Sequence, residues 1–144
     1  MAVCRDRGIR VAGLEFSEAA LIFCRQRGLD VRRFDIENDL LTSGENFDVA
    51  VSMEVAEHLP AKAAARYVAL LSKLSNVIVF TAAHPGQGGQ DHVNEQPPSY
   101  WIARFAALGL IHDESTARSW KQEWRTSGLV ANWYSDNLMI FRRP

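Results

Sequence analysis

Apolar and polar positions fall in blocks along this chain, and the blocks change period. Val11 to Leu14 and Val77 to Phe80 are short apolar runs of strand length, and Phe47 to Ser52 reads as a third strand. Between them lie helical patterns. Ser17 is placed to cap a helix running to about Arg27, and its segment from Ala19 to Cys24 is apolar nearly all round, so it is expected to pack with little exposure. Ala64, Tyr67, Val68 and Leu71 recur at i, i+3, i+4 and i+7, the signature of an amphipathic helix. A helix from about Ser99 to Leu108 puts Trp101, Phe105 and Leu108 on one face and stops at Gly109. Leu110 to Asp113 is a weak strand. Trp120 and Trp124 stand one helical turn apart, and Asn137 to Arg142 reads as a last strand, antiparallel at a sheet edge. Two stretches have no period: the polar, turn-rich 38–46, and 83–98, which holds three glycines, three prolines and two histidines. A connection that long is usually a functional or mobile loop.

The first third repeats itself at an offset of twenty residues: Cys4-Arg5-Asp6-Arg7-Gly8-Ile9-Arg10-Val11 aligns with Cys24-Arg25-Gln26-Arg27-Gly28-Leu29-Asp30-Val31. In both, cationic residues sit where a helix would end and a glycine follows as its left-handed stop. A short strand then begins, and seven residues past each glycine comes an acid, Glu15 and Asp35. This is too short for a solenoid repeat. Helix, glycine, strand, carboxylate is the rhythm of an alternating α/β fold.

In an open parallel α/β sheet, ligands bind beyond the carboxyl ends of the strands. Glu15, Asp35 and the run Met53-Glu54-Val55-Ala56-Glu57-His58 are all expected there. A carboxylate at Glu15 can accept hydrogen bonds from the two hydroxyls of a ribose, or simply stabilise a helix start. Asp35, acceptor-only when ionised, can receive the amino group of adenine, or merely turn the chain. Glu54, Glu57 and His58 can line a cofactor pocket, supply His58 as a general base, or hold a divalent metal with His84 or His92 from the long loop. A capped helix start with a surface histidine is the plainer alternative. His84, His92, Asn94 and Glu95 suit a substrate lid or an ordinary surface loop. Trp101, Trp120, Trp124, Trp133 and Tyr134 can wall a cavity, but four tryptophans in a small domain more often build core, and core is the expectation for most of them.

Composition narrows the classes without choosing among them. The chain has 144 residues, 47% hydrophobic and 23% charged, with a net charge of -1. That suits one soluble domain and carries no global electrostatic signature for nucleic acid. No apolar stretch approaches a membrane span, and Arg5, Asp6 and Arg7 break up any signal-peptide layout. Cys4 and Cys24 are too few for a disulfide scaffold or a zinc knuckle, so both are read as reduced thiols in a cytoplasmic protein. There is no nucleophile elbow, paired-cysteine motif, His-Glu-x-x-His or Walker loop.

From Val3 to about Pro98 the chain resembles class I S-adenosylmethionine-dependent methyltransferases of the small, generic type. The resemblance rests on Val11-Ala12-Gly13-Leu14-Glu15-Phe16-Ser17, on Phe34-Asp35-Ile36, on Phe47 through Pro60, and on His92-Val93-Asn94-Glu95-Gln96-Pro97-Pro98-Ser99-Tyr100-Trp101. It implies a Rossmann-like, mostly parallel sheet and S-adenosylmethionine as cofactor. Glu15 and Phe16 would then lie at the ribose, Asp35 and Ile36 near adenine, and Met53, Glu54 and Val55 along the cofactor. The implied reaction is direct displacement at the sulfonium methyl, assisted by His58 or His92 as base where the acceptor is a hydroxyl. Some relatives with an acid-x-x-acid-His run use it with a divalent metal, but the expectation here is transfer without one.

The resemblance has a gap. The family's first strand and glycine-rich loop should precede Val3, and Ala2 to Arg7 reads as the end of the first helix. The expectation is therefore one N-terminally truncated methyltransferase-like domain over 1–144, lacking its central strand and prone to self-association through exposed strand edges. A binding or interaction module that kept the scaffold is one alternative. A nicotinamide-dependent oxidoreductase is another, disfavoured by the Met53–His58 run. The acceptor is not legible.

Overall fold

The computed structural model describes residues 1–42 and 44–144, and these group into two compact units, Met1–Leu41 and Thr42–Pro144. Ser43, within the polar stretch 38–46, lies outside the described residues.

The first unit is the twenty-residue echo made solid. Helix α1 (Ala2–Asp6) leads to β1 (Ala12–Glu15), and α2 (Glu18–Gln26) leads to β2 (Asp30–Arg33). Both helices stop in the same way. Gly8 and Gly28 take φ of 73° and 62°, which an L side chain resists. The residue after each glycine donates its N–H back to the carbonyl of Cys4 or Cys24, at 3.0 and 3.1 Å. Ser17 caps α2 by accepting from the Ala20 N–H. β1 and β2 pair in parallel with Glu15 opposite Arg33, so the strand ends coincide. The unit's core is small: Leu21 and Phe34 are its buried apolar side chains. Ile22 and Phe23, expected to be covered, are 48% and 52% exposed, because only one side of α2 is buried.

The second unit is built on a sheet in the order β3-β4-β6-β5, comprising β3 (Ala50–Met53), β4 (Val77–Thr81), β6 (Met139–Arg142) and β5 (Ile111–His112). β3 and β4 are parallel, and β6 is antiparallel to both of its neighbours. The C-terminal strand is thus not the edge strand the sequence suggested. β6 is interior, paired with β4 on one side and on the other with the two-residue β5, which takes the edge; Met139, Ile140 and Phe141 are all buried.

On one face, α3 (Ala64–Leu74) brings Ala64, Tyr67, Val68 and Leu71, all buried as their spacing predicts. The Tyr67 hydroxyl meets Ser52 Oγ at 2.6 Å beneath β3, and burial pushes Tyr67 up to about 12. α4 (Pro98–Ala106) adds Trp101 and Phe105 to an aromatic group with Phe80 and Phe141. α5 (Glu114–Ser127) and α6 (Asn132–Asn137) complete the unit; Ala117 of α5 packs with Val79, Leu138 and Ile140. Trp101 is the one fully buried tryptophan. Trp124 is half-buried and packs with Ala117 of α5 against Val79, Leu138 and Ile140, whereas Trp120 and Trp133 are 38% and 52% exposed and are not core.

Candidate functional site at the carboxyl end of β3

β3 ends at Met53, and the chain turns at once. Glu54 has φ of 50°, a left-handed conformation unusual for a residue other than glycine. The turn is held down by Thr81 at the end of β4, whose carbonyl and Oγ1 both accept from the Glu54 N–H, at 3.2 and 2.9 Å. A strained residue pinned at a strand end is the kind of position found at ligand sites. The turn presents the Glu54 carboxylate to Gln87 Nε2 at 3.1 Å and to Asn137 Nδ2 at 3.2 and 3.3 Å, while Asn137 also donates to Gln87 Oε1 at 2.8 Å.

One short turn later, residues Ala56–His58 form a single 3-10 coil, not the first turn of a longer helix. It buries Glu57 completely, at 0% exposure, and leaves both carboxyl oxygens without a hydrogen-bond partner. Burial and the nearby Glu54 carboxylate push Glu57 up to about 7. The backbone around this acid is well satisfied, since the Glu57 carbonyl accepts from Val93 and Asn94 N–H at 2.9 and 3.0 Å. Those two bonds fasten the long loop over β3.

The loop delivers His92 beside His58, with ring centroids 4.9 Å apart in an edge-on arrangement. One ligand-type atom from each of Glu57, His58 and His92 lies within 4.8 Å of the others. Each imidazole is tethered through Nδ1, His58 to the Asp91 carbonyl at 3.3 Å and His92 to Glu95 Oε1 at 3.0 Å. Glu95 also accepts from Gly86 and Gly88 N–H, each at 2.8 Å. Its carboxyl is held below the usual range, first by the bond from His92 and then by those from the loop backbone. His84 bonds the neighbouring Pro85 carbonyl instead. The cluster is thus a buried carboxyl group and two imidazoles, able to accept a proton or to hold a cation.

In the first unit, Glu15 ends β1, and its Oε1 accepts from Phe16 and Ser17 N–H at 2.8 and 2.7 Å. Both bonds fall on one oxygen, so Oε2 is available to a hydroxyl. Asp35 follows β2, but each of its oxygens is used locally, accepting from Glu37 N–H at 2.9 Å and from Asn38 Nδ2 at 2.8 Å. These bonds, that from Asn38 foremost, lower its carboxyl below the usual value. Phe16 is exposed with the Arg33 guanidinium over its ring, and Ile36 is half-buried. Glu15 and Asp35 therefore share the carboxyl edge of the β1–β2 pair, whereas Met53, Glu54 and Val55 belong to the other unit's sheet.

Sequence reasoning missed Gln87, Asn137, the Asp91 carbonyl and the anchoring role of Glu95. In the sequence only the glycines Gly86, Gly88 and Gly89 hint that this loop turns tightly, and they do not say onto what.

Residues 1–78 match the family described as Methyltransferase domain, and the chain belongs to that family. It is 39% identical over 136 residues to the ubiquinone biosynthesis O-methyltransferase of Hahella chejuensis (strain KCTC 2396), a match covering 87% of this chain and 52% of that protein. The chain thus spans about half the length of the curated relative it matches. Its fold resembles a SAM-dependent methyltransferase from Archaeoglobus fulgidus (TM-score 0.64, 20% identity, 75% of this chain and 54% of that one). It also resembles a TehB-like SAM-dependent methyltransferase from Corynebacterium glutamicum (TM-score 0.66, 16% identity, 99% and 73%). Among the described residues, no helix is long and apolar enough to cross a membrane.

Proposed function

We propose that this chain belongs to an S-adenosylmethionine-dependent methyltransferase acting on a hydroxyl oxygen. The observation that carries the reading is the pair of Nδ1-tethered imidazoles beside buried Glu57 at the carboxyl end of β3, in a chain of the methyltransferase-domain family. The name of the Hahella relative supports oxygen as the acceptor atom.

S-adenosylmethionine, when bound, supplies a sulfonium methyl group that leaves by direct displacement. The chain's own residues do the rest. His92 or His58, its Nδ1 occupied by an acceptor, takes the hydroxyl proton on Nε2. Met53, Glu54 and Val55 are assigned to packing along the cofactor. The Glu54 carboxylate also holds Gln87, keeping the loop down and water out. In the first unit, Glu15 Oε2 is assigned to the ribose, Phe16 and Ile36 to its apolar surroundings, and the remaining lone pairs of Asp35 to the adenine amino group.

The test is calorimetric titration of S-adenosylmethionine, together with release of S-adenosylhomocysteine in the presence of catechol as a hydroxyl probe. Glu15→Ala is expected to weaken binding by up to about 3 kcal/mol, the worth of a hydrogen bond to a charged acceptor. Equal affinities in both proteins defeat the ribose role. Product release unaffected by His58→Ala and unaffected by His92→Ala as well defeats the base assignment. A cytoplasmic setting, supported by the free thiols of Cys4 and Cys24, and self-association through β3, where Val51 is 64% exposed at the end of the sheet, belong to the same proposal. Light scattering across a concentration series tests the latter, with Val51→Lys expected to lower the apparent mass.

A second reading is favoured by the orphaned oxygens of Glu57: Glu57, His58 and His92 together hold a divalent cation. A nitrogen- and oxygen-donor set of this kind suits manganese or zinc. Transfer insensitive to EDTA keeps the metal-free expectation. Transfer abolished by EDTA and restored by Mn²⁺, with Mn²⁺ binding lost in Glu57→Gln, establishes the cation.

A further inference from the structure

We infer that Glu95 and the Asp91 carbonyl are positioning groups that hold the ring protons of His92 and His58 on Nδ1, so that both histidines offer Nε2 as a bare lone pair. The inference rests on the reading that this cluster is the reactive site, but not on whether it takes a proton or a cation, since both need that lone pair.

The argument is one of donors and acceptors. A neutral imidazole carries one N–H, and the partner of one ring nitrogen decides the state of the other. His92 Nδ1 stands 3.0 Å from Glu95 Oε1. An ionised carboxylate can only accept, and the N–H groups of Gly86 and Gly88, both donating to Glu95, favour the ionised form. His58 Nδ1 stands 3.3 Å from the Asp91 carbonyl, which also can only accept. Both protons are therefore drawn to Nδ1.

The loop is shaped for this purpose. Asp91 adopts φ of 59°, a conformation costly for an L residue, and in that conformation its carbonyl meets His58 while its neighbour His92 meets Glu95. Gly89 lies against the His92 ring so closely that a Cβ there would come within 2.4 Å of Cε1 and Nε2. The loop backbone itself walls the imidazole, and a side chain at this position would have to push the ring aside. Glu95 thus sits behind His92 with three donors on its carboxylate, and touches neither His58 nor Glu57 in any hydrogen bond of the site. An outer carboxylate on a ligating or catalytic histidine fixes tautomer and orientation together.

The experiment is a long-range ¹H–¹⁵N correlation spectrum of the full chain, labelled with ¹⁵N, at pH 8.5 with EDTA. His58 and His92 are assigned by loss of signal in His58→Gln and His92→Gln. Both are expected to show a protonated Nδ1 and an unprotonated Nε2. Glu95→Ala is expected to release His92 to the other tautomer while His58, an internal check on folding, keeps its own. Glu95→Gln, whose amide oxygen still accepts, is expected to keep the His92 pattern. Gly89→Ala leaves Glu95 untouched, but is expected to displace the ring and shift the His92 resonances alone. A protonated Nε2 on His92 in the unmutated protein overturns the inference, as does an unchanged His92 tautomer in Glu95→Ala. Failure of Mn²⁺ to bind defeats the cation reading only and leaves these tautomers as they are. Reversed tautomers defeat this inference whatever Mn²⁺ does.

Discussion

Glu57 is a fully buried acid whose two carboxyl oxygens make no hydrogen bond that meets normal geometry. Its carboxyl group lies near 7 in the folded protein against an ordinary value of 4.5, because burial and Glu54 both penalise the charge. The folded chain therefore keeps a proton that the unfolded chain releases. Stability from this group is fully present below about pH 4.5, falls as pH rises through about 7, and is level above that. The whole loss is at most about 3 kcal/mol. In EDTA, the urea midpoint is expected to fall between pH 5 and pH 8, and Glu57→Gln to remove most of that slope. A slope that survives in Glu57→Gln shows that another group titrates. At this scale the acids and His58 were legible, because they sit together in one short run after an apolar strand. Their partners were not: Gln87 is 33 residues from Glu54 and Asn137 is 83. An amide side chain carries no period or motif that announces a partner so far away. Asp35 shows the converse, since its own turn engages each of its carboxylate oxygens once and so sets which lone pairs remain for a ligand.

The elements owe their ends to local chemistry and their places to packing. Asp113 caps α5 by accepting from the Thr116 N–H and hydroxyl and the Ser115 hydroxyl, and it also meets Arg142 Nε at 2.7 Å on β6. These bonds, led by the Thr116 hydroxyl, hold its carboxyl well below the usual 3.8. Its contribution is present above that value and is lost as pH falls below it. Asp113→Ala is thus expected to lower the melting temperature clearly at pH 7 and much less at pH 2, read by circular dichroism. Equal losses at both pH values put the effect in packing, not in charge-assisted bonds. Phe105 belongs to α4 by helical spacing, but its energy comes from stacking on Phe141 at 4.0 Å and meeting Phe80 edge-on at 5.4 Å. Phe105→Ala is expected to cost about 3–5 kcal/mol in urea unfolding, with no change in the slope of the transition. A loss below 1 kcal/mol would mean the aromatic group closes over the gap. The periodic face of α3 was readable because amphipathic spacing and burial coincide there. Of the two indoles of α5, Trp124 shares the Ala117 face and packs on the core as expected, while Trp120, one turn earlier, is exposed.

At the scale of the whole molecule, the two units differ in what they bury. The first rests on Leu21 and Phe34 and a pair of strands, and a two-stranded sheet with so little cover is weakly stabilised. The second has an aromatic core of Phe80, Trp101, Phe105 and Phe141, all at 0% exposure. Native-state hydrogen exchange is expected to find the amides of β1 and β2 opening at a distinctly lower free energy than those of β4 and β6. Equal protection in the two units would show that they open as one.

The sequence alone determined the alternation of helix and strand, the twin glycine stops, the α3 face and the acidic run after β3. Each of these is written in residues close together along the chain, through backbone conformation, capping or period. Tertiary structure decided the rest. It placed β6 inside the sheet, because the backbone of the short β5 pairs with its outer side, a pairing between segments far apart along the chain that no local pattern announces. It brought His92 to His58 across 34 positions and put Glu95 behind it. It also left Glu57 with no donor. These outcomes depend on which surfaces meet once the chain has folded, and an imidazole or a carboxyl group acquires its partners, and hence its chemistry, only at that meeting.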